Sequence, residues 1–75
     1  MRLSAPEAIR IAQLTAGKEG WKLTNSKRPE VFYQYSQNDG TWSVLCYGSV
    51  YDSSVSEFWI VIDDKTSKTH LMRAD

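Results

Sequence analysis

One helical stretch followed only by strand-like segments is the pattern that most constrains this 75-residue chain. Parallel strands need a crossover of a dozen or more residues, usually a helix. After Trp21 no stretch has helical spacing. The strands must therefore join through turns, and the single helix must lie on one face of the resulting sheet. The expected fold is α+β: one N-terminal helix packed on a four- to five-stranded antiparallel meander sheet, in a single domain over 1–75.

The helix opens at Ser4-Ala5-Pro6-Glu7, where Ser4 is a good N-cap and Glu7 completes a capping box. Pro6 falls in the first turn, where a missing N–H costs little. Ala5, Ile9, Ala12 and Ala16 make one apolar stripe, widened by Ala8, Ile11 and Thr15. The spacing predicts a helix over about 4–17, with Gly17 as its left-handed terminator and Gly20 as a second break. Strands are expected at about 21–24, 31–36, 41–51, 57–63 and 69–73. Asn38-Asp39-Gly40 reads as the turn between the second and third. Gly48 marks a bulge or bend inside the third.

Strand residues alternate faces. Trp42, Val44, Cys46, Gly48 and Val50, with Phe58, Ile60 and Ile62, form the set expected beneath the helix. Leu45, Tyr47, Tyr51, Trp59 and Val61 fall on the other face, which is more apolar than a solvated face should be. One helix cannot cover both sides. Ordinary shielding by curvature and long polar side chains is one explanation, since folded surfaces are rich in apolar atoms. An association surface is the other. The candidate protein-binding residues are Leu45, Tyr47, Tyr51, Asp52, Glu57 and Trp59, the Tyr and Trp as anchors and the carboxylates as steering charges.

Nine basic residues balance nine acidic ones, but unevenly. Residues 1–28 carry six basic and two acidic residues, a net +4; residues 29–75 carry three basic and seven acidic, a net −4. No Lys or Arg lies between Arg28 and Lys65, although turn and strand preferences alone produce part of that asymmetry. An acidic, aromatic sheet suits a basic protein partner.

The same composition argues against other functions. A single Cys46 forms no intramolecular disulfide, and one Cys with one His, His70, makes no Cys/His zinc site. Neither a metal nor a cofactor is expected. Cys46 and His70 could in principle pair as nucleophile and base, but Cys46 falls on the core face, where a free Cys is an inert small hydrophobe. Asp63 and Asp64 are adjacent, so they point apart and read as turn formers. Lys22, Lys27 and Arg28 beside Trp21 are a weak nucleic-acid signal in a chain of zero net charge. Residues 1–20 contain no apolar run, so neither a signal peptide nor a membrane span is expected. A cytoplasmic protein is the default, and a mature exported domain the alternative.

Two blocks resemble known small domains. Trp42-Ser43-Val44, then Phe58 to Lys68 (FWIVIDDKTSK), resembles the W-x-V and I-D-x-K-T-G-K pattern of PepSY domains, with Ser67 where the pattern has glycine. The same pattern occurs in small cystatin-like or nuclear-transport-factor-like immunity proteins. Ala5-Pro6-Glu7-Ala8-Ile9-Arg10-Ile11-Ala12 resembles their helix opening. The resemblance implies a helix-on-sheet domain and an inhibitory or immunity-type binder without catalytic residues. The expected function is therefore a non-enzymatic protein-binding module. The alternative is a structural homodimer or assembly protein, for example phage-related, that closes the same face on itself.

Overall fold

The computed structural model describes residues 2–24, 27–50 and 54–73. One helix, α1 (Ala5–Lys18), precedes five strands: β1 (Trp21–Leu23), β2 (Glu30–Ser36), β3 (Asp39–Val50), β4 (Ser56–Asp63) and β5 (Thr69–Arg73). Every pairing is antiparallel, giving the α+β architecture anticipated from the single helical stretch.

α1 starts as its capping box requires. Ser4 Oγ accepts from the Glu7 N–H, and Glu7 Oε1 accepts from the Ser4 N–H at 2.9 Å. Leu3 before the cap and Ala8 four residues beyond it are both buried, as in a hydrophobic staple. The buried stripe is Ala8, Ala12 and Ala16, flanked by half-buried Ala5, Ile9, Ile11 and Thr15. Three alanines with no exposure let the helix backbone lie close to the sheet. The end differs from expectation. Gly17 stays helical, Glu19 is the C-cap, and Gly20 (φ +87°) takes the left-handed position. Gly20 serves because its φ is open only to residues without a Cβ penalty.

β3 is the spine. Its 12 residues match the 40 Å long dimension of the molecule at about 3.4 Å per residue. β4 lies along one side of it and β5 beyond β4. The other side of β3 carries two strands end to end: β2 against Asp39–Leu45 and β1 against Gly48–Val50. Six residues separate Leu23 from Glu30, whereas their partners Gly48 and Leu45 are separated by two, so the chain between β1 and β2 is four residues longer than the ladder needs.

β2–β3 is a two-residue hairpin. Gln37 (φ +52°) and Asn38 (φ +66°) lie between the closing pair Ser36↔Asp39. The turn thus precedes Asp39-Gly40, which belong to β3. Gly40 is held in the strand by packing: a Cβ there would lie 2.2 Å from Tyr33 Oη. Gly48 is neither bulge nor bend but a close approach, since its Cβ would stand 2.6 Å from the Lys22 carbonyl oxygen.

The core lies between α1 and one sheet face. Trp42, Val44, Cys46, Phe58, Ile60 and Ile62 are buried there, as the alternation predicted. Full burial of a Phe or Ile contributes about 1.5–3 kcal/mol. Trp21 stacks on Phe58 (centroids 4.1 Å apart) and carries the Arg73 guanidinium 5.3 Å above its ring. At the other end Asp64, buried, gathers the N-terminal segment. Its carboxylate accepts from the N–H groups of Arg2 (2.6 Å) and Leu3 (2.8 Å) and from Trp42 Nε1–H (2.8 Å). Arg2 returns Nε–H to the Asp64 carbonyl at 2.9 Å.

Two measurements check these arguments. Replacing Gln37-Asn38 by Asn-Gly removes an uncomfortable left-handed glutamine and is expected to stabilise by about 1 kcal/mol. The thermal midpoint should rise by roughly 4–8 °C, the exposed 3.4 Å contact of Asn38 with Tyr35 being a small loss. Burial raises the Asp64 pKa, but the Arg2, Leu3 and Trp42 donors outweigh it and hold the carboxyl at about 2. A depressed folded pKa means stability that is full above the ordinary carboxyl pKa and lost as pH falls from about 4 to about 2. Asp64→Asn should therefore be less stable at pH 7 and show a shallower acid limb in denaturation midpoints. Some limb remains from Asp63 and Glu7, whose pKa values are lowered by backbone donors of Thr66 and Lys65 and of Ser4.

Candidate functional site

The face opposite α1 is built by odd-numbered residues of β3 and β4 and the even-numbered residues of β2 and β5 paired with them. Two rows cross four strands: Glu30–Leu45–Trp59–Met72 and Phe32–Ser43–Val61–His70. No described element covers these rows. Phe32 is 53% exposed and Met72 43%, while Leu45, Trp59 and Val61 are half-buried by their neighbours. Phe32 and Trp59 touch diagonally across the rows, with ring centroids 5.9 Å apart. The result is an apolar patch of aromatic and thioether groups at the centre of the open face.

Tyr47 and Glu57 face each other at one end of this patch. Tyr47 Oη donates to Glu30 Oε2 at 3.3 Å. Partial burial, then the neighbouring Glu30 and Glu57 carboxylates, push the Tyr47 phenol above its ordinary pKa. The Lys27 ammonium sits 4.9 Å from the centre of the same ring. Lys22 pairs with Ser49 on this face as well. The stretch without cations in the chain is therefore not without cations in space. Lys27 returns to it from the connection before β2.

Of the candidate residues, Leu45, Tyr47, Glu57 and Trp59 come together on the open face. Tyr51 and Asp52 lie outside the described residues. Phe32 and Met72 are the members that sequence reading missed. In β2 the apolar and aromatic Val31, Tyr33 and Tyr35 alternate with Glu30, Phe32, Gln34 and Ser36, so Phe32 is a lone apolar ring in an otherwise polar set and marks no patch by itself. Its register against Ser43 and its contact with Trp59 assign it to the apolar centre of the open side.

The arrangement separates the groups that catalysis would need. Cys46 is buried beneath α1, and burial pushes its thiol up to about 11. His70 lies on the open face opposite Val61, so the sheet stands between the two. Asp63 and Asp64 point apart: Asp63 Oδ1 accepts from the Lys65 and Thr66 N–H groups at 2.8 and 2.9 Å, while Asp64 turns inward. Among the described residues no three His, Cys, Asp or Glu side chains converge as a metal site. No described helix is long and apolar enough to cross a membrane.

No protein-family model, no curated protein and no solved structure matches this chain.

The two faces should respond differently to truncation. Phe32→Ala, at an exposed ring with one aromatic contact, is expected to cost about 0.5–1 kcal/mol. Phe58→Ala, at a fully buried ring stacked on Trp21, is expected to cost about 3–5 kcal/mol. Urea midpoints of the two variants measure both.

Proposed function

We propose that this chain is a non-enzymatic protein-binding domain and that the open sheet face is its docking surface. The observation that carries the reading is the uncovered patch itself, where Phe32, Trp59 and Met72 stand together with no described element over them. Aromatic and Met side chains at the centre of a polar-rimmed patch are the composition of interface cores.

The occupant is a protein surface with an apolar centre and a cationic side chain. Glu30 and Glu57 flank Tyr47 at the rim and would receive that cation, and Lys27 shows that the Tyr47 ring accommodates an ammonium group. Such a surface needs no reacting groups. It suits a small inhibitory or immunity-type binder that blocks a larger partner, and the resemblance of the β4–β5 turn region supports the same kind of activity. A buried, unpaired Cys46 is in keeping with a reducing cytoplasmic setting.

Site-specific photocrosslinking in the native host tests this. A benzoylphenylalanine at Ser43, in the middle of the open face, is expected to give a protein adduct that weakens with salt. The same probe at Gln13, exposed on α1, should give none. Purified with the variant Glu30→Lys/Glu57→Lys, the identified partner should bind at least tenfold more weakly. Equal adducts from both positions, or none from Ser43, would sink the reading. An adduct made only of two copies of this chain would assign the face to a homodimer.

A further inference from the structure

β2 is an edge strand without the usual guards. Natural edges are blunted by Lys or Pro, by bulges or by a covering element. β2 runs in unbroken register with β3 from Glu30↔Leu45 to Ser36↔Asp39, and it contains no Lys, Arg or Pro. No other described strand pairs along its outer side. Exposed aromatic rings stand on both of its faces: Phe32 on the open face, and Tyr35, 63% exposed, on the side that α1 covers elsewhere. A docking surface on the open face accounts for Phe32 but leaves Tyr35 without a role. The far edge is different, because Lys68 adjoins β5 and Arg73 ends it. A strand added to β2 would cover both rings, since its side chains alternate between the same two faces.

We infer that β2 pairs antiparallel with β2 of a second copy about a two-fold axis at Tyr33, joining two five-stranded sheets into one of ten. The register follows from the strand's own residues. With Tyr33 opposite its copy, Phe32 faces Gln34, Val31 faces Tyr35 and Glu30 faces Ser36. The single charge of the strand thus meets a neutral hydroxyl and never its like, so the edge is complementary to itself. The two Phe32 rings become diagonal neighbours on one face, and each Tyr35 is covered by Val31 of the second copy. The cations flanking β5 keep that edge from extending the array, so association stops at two chains. Both open faces stay free, and this pairing stands or falls independently of what they bind.

Sedimentation velocity of the full chain from micromolar to millimolar concentration reads the outcome. The mass is expected to rise to twice the 8.6 kDa of one chain. Phe32→Lys/Gln34→Lys places like charges opposite each other twice and should hold a folded monomer throughout. Phe32→Glu/Gln34→Lys makes both pairs attractive in this register alone, so the dimer should return and weaken with salt. Face-to-face association, by contrast, would be lost in both variants. As a measure free of substitutions, hydrogen exchange should show β2 amides gaining protection with concentration while β5 amides do not. A wild-type chain monomeric at millimolar concentration, a dimer indifferent to the double lysine, a charge-swapped variant that folds but stays monomeric, or species larger than dimers would each overturn the pairing.

Discussion

The Asp64 carboxylate ties together three parts of the chain at one buried point. It holds two backbone N–H groups ahead of α1 and the indole of Trp42 in β3, from a position just after β4. The helix therefore enters at a fixed angle over the sheet. Its alanine stripe shares one buried cluster with Val44, Ile60 and Ile62. A buried carboxylate is costly unless its lone pairs are filled, and here three donors fill them. Among the described residues no buried side-chain polar atom is left without a partner, so the polar cost of the core is met at this one point.

A single helix over a sheet divides the strands into a closed and an open side. β3 shows the division most plainly, with buried residues alternating with half-buried ones from Gly40 to Gly48. On the closed side each side chain is held by several neighbours. On the open side Leu45, Trp59 and Val61 shelter one another while Phe32 and Met72 remain in solvent. Among the described residues the one helix lies on the closed side, and no second layer faces the open one.

Much of this was legible in the residues, for physical reasons that can be named. Ser4 and Glu7 are three apart and serve each other, so the start of α1 is local chemistry. The β3 and β4 alternation is strong because one set is wholly apolar. The end of α1 was misread because Gly17 and Gly20 are equally good terminators locally, and the approach of Trp21 to Phe58 selects between them. The hairpin was misplaced because Asn-Asp-Gly is a good turn in isolation, whereas Tyr33 needs the bare Gly40 beneath its ring. Asp64 looked like a turn residue because its three donors come from residues 2, 3 and 42. The open face was half visible: Leu45, Tyr47, Glu57 and Trp59 follow from alternation, while Phe32 and Met72 require the cross-strand register.

The surplus length between β1 and β2 leads further. Because those strands take their places from β3 independently, at Gly48–Val50 and at Asp39–Leu45, the segment joining them is not needed to set either register. Its length and side chains can vary through evolution without cost to the core. Lys27, which belongs to it, is the residue resting on Tyr47 at the rim of the open face. A part of the chain that sets neither register is thus the part that decorates the aromatic patch, so descendants of one scaffold could diverge in what they recognise while keeping the same interior.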